Sequence, residues 1–289
     1  MKTIFAIIQI LAIMFNGAAP AEPPPSHSPG EIRTIYKDKN FFLSVIKQTE
    51  SYTGESYQNV TGITVPHHLL AKDLLAETFQ KISTNKYKTI ILLSPDHFNR
   101  GTTPFSTTAK SFETVFGAPE TDKNLVQKIL NENDLLTESD LFNREHGIHA
   151  VTPFIKHHFP NATLIPIAIR IDSTREELDS LYKTLIQNIH TSSTLIVQST
   201  DFSHYLPKPE ADQKDNETIA VIKTKDPAQI MLLHQPNNID SRGAQYLQSR
   251  LQNEFFASDL ARIQAVNSEE YSTDTVNETT SYITQIYKK

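Results

Sequence analysis

Four polar clusters carry residue types that bind metal ions and transfer protons. Three directly follow a short apolar run of strand type, and the fourth leads into an amphipathic segment. Two neutral imidazoles and one carboxylate can hold a metal ion and leave positions open for substrate or oxygen. The clusters are "GITVPHHLL" with His67 and His68, "ILLSPDHF" with Asp96 and His97, "LIVQSTDFSHY" with Asp201 and His204, and "REHGIHAVTPF" with Glu145, His146 and His149.

The position of these clusters favours one shared site. In layered α/β proteins the ligand crevice lies beyond the carboxyl ends of the parallel strands, so polar residues after successive strands converge there. Taken singly, each has a simpler interpretation: a histidine after a strand is a hydrogen-bonded loop residue, and Asp96 is a turn-forming residue. The repetition of the pattern favours a site.

The composition restricts the chemistry of that site. The chain has 289 residues and no cysteine, so a thiolate can act neither as a ligand nor as a nucleophile. Any metal must be held by histidines and carboxylates. The sequence has no G-x-S-x-G nucleophile elbow and no H-E-x-x-H helix, which leaves metal-dependent hydrolysis as a third option behind the two described below.

The elements that must position the clusters alternate between strand and helix. Alternation of this kind predicts an α/β fold, a single layered domain over residues 32–289 with a central, mostly parallel sheet flanked by helices. Two further strands are predicted near the C-terminus. The predicted strands are Lys88–Leu93, Thr163–Ile171, Thr194–Gln198, Arg262–Val266 and Thr280–Tyr287, and the predicted helices are Leu69–Ile82, Asp122–Leu130, Thr174–Ile189 and Gly243–Phe256.

The first residues predict export. Lys2 precedes an apolar stretch of signal-peptide length, and Ala19 and Ala21 supply small residues before a cleavage point. We therefore expect a signal peptide over residues 1–21, a flexible Pro/Ser-rich segment over 22–31, and a periplasmic or extracellular protein with no membrane span after cleavage. An uncleaved anchor is the alternative. The net charge of −6 without a basic block argues against a nucleic-acid partner.

A family resemblance rests on several of these motifs together. The segments "VPHH", "LLSPDHF", "FETVFGAPETDKNLVQKIL", "REHGIHAVTPFIKHHFP", "LIPIAI" and "STDFSHY" occur in the order and at about the spacing of the Memo-like family, whose bacterial members are often called AmmeMemoRadiSam system protein B. The similarity runs from about Ile63 to the C-terminus. That family's fold resembles the class III extradiol dioxygenases, which use non-haem iron(II).

The resemblance implies a set of metal ligands. The histidine of the family's first motif falls on His67, with His68 as its rival, and that of the second falls on His97. The family usually has a cysteine in a "C-G-x-x-P" segment, and the counterpart here, "NNIDSRGAQYL", places Asp240 at that position. One divalent metal on two histidines and one carboxylate is then expected, with Fe(II) favoured and Zn, Mn or Cu as alternatives. Asp240 as a turn residue or helix N-cap is the simpler interpretation.

The same resemblance implies the roles of the remaining residues. The "S-x-D-F-x-H" motif falls on Asp201 and His204, which makes His204 the acid/base or hydrogen-bond donor and Asp201 its orienting partner. Glu145, His146 and His68 are expected to line the pocket.

The sequence favours two functions over hydrolysis. The first is an exported metalloprotein with redox or oxygen-dependent chemistry on a small substrate, a non-haem, dioxygenase-like oxidoreductase. The second is a non-catalytic pocket that binds a peptide or protein partner. The sequence does not indicate the oligomeric state.

Overall fold

The central sheet forms where the sequence predicts buried strands. The computed structural model describes residues 31–51, 54–273 and 277–289. The predicted signal peptide and residues 22–30 of the predicted flexible segment lie outside the described residues. Glu31, the last residue of that segment, pairs with Ser111 in a separate two-stranded sheet.

The strands follow the predicted positions within a few residues. Four predicted strands are extended by one to three residues at an end, and the predicted Thr163–Ile171 strand ends earlier, at Ile169. Several short strands were not predicted. The described strands are β1 (Glu31–Ile32), β2 (Val60–Val65), β3 (Thr89–Pro95), β4 (Phe105–Thr107), β5 (Ser111–Phe112), β6 (Leu136–Glu138), β7 (Thr163–Ile169), β8 (Thr194–Ser199), β9 (His204–Leu206), β10 (Asp259–Asn267) and β11 (Thr279–Lys288).

The main sheet has nine strands and is mixed but mostly parallel in its centre. Its order is β10-β11-β2-β8-β3-β7-β4-β6, and β9 pairs with β11. Strands β2, β8, β3 and β7 are parallel to one another, whereas β11 and β4 run antiparallel to their neighbours β2 and β7. The predicted α/β class with a largely parallel central sheet is confirmed.

Helices cover the sheet on both sides. The predicted Leu69–Ile82 helix begins as a 3₁₀ turn, Leu69–Ala71, before the α-helix starts. The predicted helix at Gly243–Phe256 ends its α-helical part at Arg250 and continues as a π-helical segment. The described helices are α1 (Lys39–Glu50), α2 (Lys72–Ile82), α3 (Lys123–Glu132), α4 (His146–His149), α5 (Thr152–His158), α6 (Arg175–Asn188), α7 (Lys208–Lys223), α8 (Pro227–Ile230) and α9 (Arg242–Arg250).

The core is divided into two layers by the sheet. Successive side chains of a strand point to opposite faces. In β3, Ile90 and Leu92 pack into the core beneath α1, α2 and α5, while Ile91 and Leu93 pack into the core beneath α3, α6 and α9. Burial on both faces explains why the central strands read as continuous apolar runs. It also fixes where each strand ends, and so where the next polar residue stands.

The helices of the described residues are too short or too polar to cross a bilayer.

Candidate metal centre

Three adjacent parallel strands deliver three polar side chains to one sheet edge. β8 lies between β2 and β3 in the sheet. His67 follows β2 by two residues, Asp201 follows β8 by two residues, and His97 follows β3 by two residues. Because the strands run in the same direction, their carboxyl ends coincide, and the three side chains meet beyond the sheet as expected.

His67 and His97 face each other through the same ring nitrogen. Their Nε2 atoms are 3.0 Å apart, and the rings are perpendicular. A divalent ion holds imidazole nitrogens at about 2.0–2.1 Å, so two nitrogens bound to one ion in tetrahedral or octahedral geometry stand about 3 Å apart. The separation in the structure fits such a pair.

The tautomer of His67 follows from its hydrogen bonds. His67 Nδ1 lies 3.2 Å from Ser199 Oγ, and the Ser199 hydroxyl donates its hydrogen to the Gly147 carbonyl at 2.6 Å. The serine oxygen therefore accepts a hydrogen bond from Nδ1–H of His67. With Nδ1 protonated, the Nε2 lone pair of neutral His67 points into the site and is available as a ligand.

His97 is oriented in the same sense by a carboxylate. Its Nδ1 lies 2.6 Å from Oε1 of Glu145, and its backbone N–H donates to Oε2 of the same residue at 3.0 Å. Glu145 is fully buried and also caps α4 by accepting from the Gly147 backbone N–H. A buried carboxylate behind a ligand histidine fixes the ring and raises its basicity.

Asp240 lies between the two imidazoles. Its Oδ2 is 3.3 Å from His67 Nε2 and 3.7 Å from His97 Nε2. A β-bridge between Phe202 and Ile239 brings this part of the chain beside the end of β8. The interpretation of Asp240 as a helix N-cap is wrong, because Ser241 caps α9.

One oxygen of Asp240 has no partner. Its Oδ2 accepts from the Asp201 backbone N–H at 3.1 Å, whereas Oδ1 is buried without a hydrogen-bond partner within the described part of the chain. A buried carboxylate oxygen without a donor is costly unless a cation or another ligand satisfies it. With Oδ2 near both imidazole nitrogens and Oδ1 without a donor, the Asp240 carboxylate fits a divalent metal together with the two rings.

The side chain of Asp201 contacts His67. Its Oδ1 accepts from the His67 backbone N–H at 3.1 Å, and its Oδ2 is 3.4 Å from His67 Nε2. Burial, and next the nearby charge of Asp240, raises the pKa of Asp201 well above its usual range. Asp201 was expected to orient His204, but the hydrogen-bond partner of the His204 ring is the Phe202 carbonyl.

His146 is nearer the centre than the sequence indicated. Its ring centroid is 3.9 Å from that of His97 and 5.2 Å from that of His67. Ligand nitrogens of His67, His97 and His146 all lie within 4.8 Å of one another, so this group can hold a metal ion. The sequence placed His146 only in the pocket lining, because nothing in the "REHGIHAVTPF" motif shows how closely α4 approaches β3.

Gly147 makes that close approach possible. A Cβ at this position would stand closer than any real contact to Ser94 Oγ of β3, and 3.3 Å from both Glu145 Oε1 and His97 Cε1. The absence of a side chain therefore allows the start of α4 to lie against the end of β3. The role of this glycine could not be predicted from the motif, since it depends on two distant segments.

His67 and His97 differ in how readily they take up a proton. Burial, and next the positive charge of His97, lowers the pKa of His67 well below its usual value. Burial alone would lower the pKa of His97 as well, but hydrogen bonds to Asp240 and Glu145 outweigh it and raise the pKa to about 10. Without metal, one proton on His97 thus supplies the positive charge that the carboxylates require.

A cavity of about 640 Å³ opens beside these residues. Its wall includes five of the polar residues named in the sequence motifs, which are His67, His68, His146, Asp201 and His204. Nδ1 of His204 contacts the Phe202 carbonyl, and the described residues offer the other ring nitrogen no hydrogen bond, so a ligand in the cavity can reach it. His68 Nδ1 lies 2.7 Å from the Tyr282 hydroxyl.

Asp96 stays outside the site. It is buried, and its carboxylate accepts from the backbone N–H groups of Phe98 at 3.2 Å and Gly101 at 2.7 Å. The simpler interpretation of Asp96 as a turn-forming residue is therefore confirmed, and its neighbour His97 alone reaches the centre.

Comparison with known proteins supports one family. The chain matches a family model described as Memo-like protein over residues 35–283. It is 28% identical over 179 residues to a MEMO1 family protein of Caldivirga maquilingensis, which covers 60% of this chain and 63% of the relative. It is 29% identical over 182 residues to a MEMO1 family protein of Methanococcus maripaludis, covering 59% of this chain and 64% of the relative. It is 28% identical over 215 residues to one of Aquifex aeolicus, covering 69% of this chain and 55% of the relative.

The matched part of the chain spans less than two thirds of the length of each of these relatives. Among solved structures, an uncharacterized protein of Escherichia coli is similar with a TM-score of 0.48 and 12% identity, covering 77% of this chain and 98% of that one.

Proposed function

Since the chain belongs to the Memo-like family, we propose that it is a metalloprotein in which His67, His97 and Asp240 bind one divalent metal ion. The observation that carries this proposal is the orientation of the two rings. Each uses Nδ1 on a protein acceptor, Ser199 or Glu145, and each points Nε2 at the same place, 3.0 Å from the other. Asp240 adds a buried oxygen that has no other partner.

Fe(II) is the favoured ion of this proposal. Two imidazoles and one carboxylate on one side of an ion form the arrangement found in non-haem iron oxygenases, and Zn(II) and Mn(II) suit the same donors. The chain has no cysteine, so a soft thiolate that would favour Cu(I) is absent from its sequence. His146, which lies within reach of the same position, is the alternative third ligand.

We further propose redox or oxygen-dependent chemistry on a small substrate. A divalent ion of this kind supplies open positions at which substrate and oxygen meet. The residues of the chain have separate tasks: Glu145 and Ser199 hold the two imidazoles, the cavity admits the substrate, and His204 transfers a proton through Nε2. Asp201 supports His67 and Asp240 rather than His204: its carboxylate accepts from the His67 backbone N–H, and its own backbone N–H donates to Asp240. Export by residues 1–21 is part of the same proposal.

Metal analysis of untagged protein tests the metal site. We expect one metal ion per chain in the wild type and a loss of most of it in His97→Ala and Asp240→Ala. His190→Ala removes an exposed histidine elsewhere and serves as the control. If His97→Ala and Asp240→Ala retain as much metal as the wild type, the proposal fails. Loss in His146→Ala but not in Asp240→Ala would assign the third ligand to His146.

Oxygen consumption tests the chemistry. Fe(II)-loaded protein, given a panel of catechols and other chelating compounds, is expected to consume oxygen with at least one of them, and His204→Ala to consume it much more slowly while still binding metal. No consumption across a broad panel would favour the non-catalytic pocket instead.

A further inference from the structure

Lys72 stands in the wall of the cavity that opens onto the proposed metal centre. It is partly buried and is the first residue of α2. No carboxylate lies within ion-pair distance of its ammonium group in the described part of the chain. The adjacent acid, Asp73, accepts a hydrogen bond from the Tyr271 hydroxyl at 2.8 Å.

The position of Lys72 in its helix does not explain its charge. The N-terminal end of a helix carries a partial positive charge, so a cation in the first turn is disfavoured there. Helix stability would therefore favour a neutral or acidic residue at this position. A lysine that opposes the helix dipole and has no acidic partner is more readily explained by something that binds to it.

An aromatic contact holds the ammonium group at the cavity. Nζ of Lys72 lies 4.9 Å from the centre of the Phe41 ring, and Phe41 lines the same cavity. A cation over an aromatic face is weakly attracted to it, which limits the positions that this flexible side chain adopts. The ammonium group is thereby presented along the cavity wall, and no described residue accepts a hydrogen bond from its N–H groups.

The part of the wall away from the histidines and Asp201 is mostly apolar and aromatic. Tyr36, Leu69 and Leu70 line the cavity along with Phe41, and the ring of Tyr205 stands 67% exposed beside it. Surfaces of this kind stack against a flat apolar group. The carboxylate that lines the cavity, that of Asp201, accepts from the His67 backbone N–H and lies beside the His67 ring at the inner end of the cavity.

We propose that the cavity takes a ligand with a flat apolar body and an anionic group, and that Lys72 binds the anionic group. The anion is a carboxylate or a phosphate, since both accept hydrogen bonds from an ammonium group. This inference rests on the proposed function, because such a ligand would place its other end at the metal centre. Lys72 is the residue that determines specificity for the charged ligand.

Three probes of similar shape separate the charge from the apolar body. Benzoate carries a carboxylate, phenyl phosphate carries a phosphate, and benzamide is neutral. Each is titrated calorimetrically into the full chain as purified, after its metal content has been measured. We expect at least one anion to bind the wild type tenfold or more tightly than benzamide, and the better of the two identifies the anionic group.

The variants assign that preference to Lys72. Lys72→Gln is expected to bind the anions no more tightly than benzamide, and Lys72→Arg to keep the preference. Lys47→Gln makes the same change of net charge at an exposed position of α1 and is expected to behave like the wild type. Equal binding of all three probes by the wild type, no binding of any probe, or an undiminished preference in Lys72→Gln would each overturn the inference.

Failure of this inference is distinguishable from failure of the metal site. A normal metal content without anion preference contradicts the role of Lys72 alone. A metal content that is unchanged in His97→Ala contradicts the metal site, whatever the probes do.

Discussion

His67 and His97 are suited to metal binding by what each ring contacts on the side away from the centre. Ser199 and Glu145 take the Nδ1–H groups, so both Nε2 atoms are directed to one point. Orientation of this kind lowers the entropy lost when an ion binds, because the rings are already held in place. The residues behind the ligands are therefore as informative about function as the ligands.

Glu145→Gln is expected to weaken metal binding without abolishing it. The amide keeps the shape but loses the charge that makes His97 a better donor, so affinity should fall about 10–100-fold. Competition with a coloured chelator measures this, and Glu132→Gln, on the outer face of α3, is the control. An affinity equal to that of the wild type would show that the Glu145 carboxylate does not act through His97.

Metal affinity is expected to increase with pH. In the metal-free protein the pKa of His97 is raised to about 10, whereas the pKa of His67 is lowered, so His97 is the ring that must lose a proton before a metal binds. One released proton makes the apparent association constant rise about tenfold for each pH unit below the pKa. Chelator competition at several pH values between about 6 and 8 measures the slope. A flat profile would contradict the assignment.

At the scale of elements, the site depends on where strands end and how closely one helix approaches them. β2, β8 and β3 end side by side, and α4 lies against β3 through Gly147. The strands are fixed by apolar packing on both faces of the sheet. The packing of the helices that cover the sheet can be tested at a residue outside the proposed metal centre.

His158 provides that test, because it is a titratable group within the packing of α5 on α2. Its ring stacks on Phe79 at 5.8 Å with an interplanar angle of 16°. Burial, and next the charge of His157, lowers the pKa of His158 to about 3. The unfolded chain has an ordinary histidine with a pKa near about 6.5.

Acid is therefore expected to destabilise the fold through His158. As the pH falls from about 6.5 towards 3, the unfolded chain takes up a proton that the folded chain does not, so the free energy of unfolding decreases. In His158→Phe this loss disappears, and we expect the decrease between about pH 7 and 4.5 to be smaller by about 2–2.5 kcal/mol. Urea denaturation at both pH values measures it, with the exposed His190→Phe as control. Equal losses in both variants would contradict this explanation.

Much of this arrangement was predictable from the sequence because local patterns determine it. The apolar runs predicted the central strands, and the helix predicted over Thr174–Ile189 is α6 within one residue at each end, capped by Thr174 with Glu177. Asp240 was found through the family resemblance, which no local pattern would have supplied. The proximity of His146 and the role of Gly147 were not predictable, because they arise from contacts between segments that are distant in sequence.

At the scale of the whole molecule, metal binding should stabilise the fold. The proposed ligands come from the ends of β2 and β3 and from the segment before α9, so an ion bound there would join parts of the chain that are distant in sequence. An ion that binds only the folded state adds about 2.7 kcal/mol at a hundred times its dissociation constant. For a chain of this size that corresponds to a rise in Tm of roughly 5–10 °C.

Thermal unfolding with and without Zn(II), which does not change its oxidation state, measures this effect. We expect the rise in the wild type and in Asp134→Ala, an exposed control, and no rise in Asp240→Ala. A rise of the same size in Asp240→Ala would indicate that zinc stabilises the protein at some other place.

The central claim is that His67, His97 and Asp240 hold one divalent ion. A crystal structure with anomalous diffraction measured at the iron, zinc and copper edges tests it most directly. The claim predicts a single anomalous peak about 2.0–2.2 Å from the Nε2 atoms of His67 and His97 and from a carboxylate oxygen of Asp240. A peak bound by His146 with Asp240 turned away, or no peak at this sheet edge in protein supplied with metal, would contradict it.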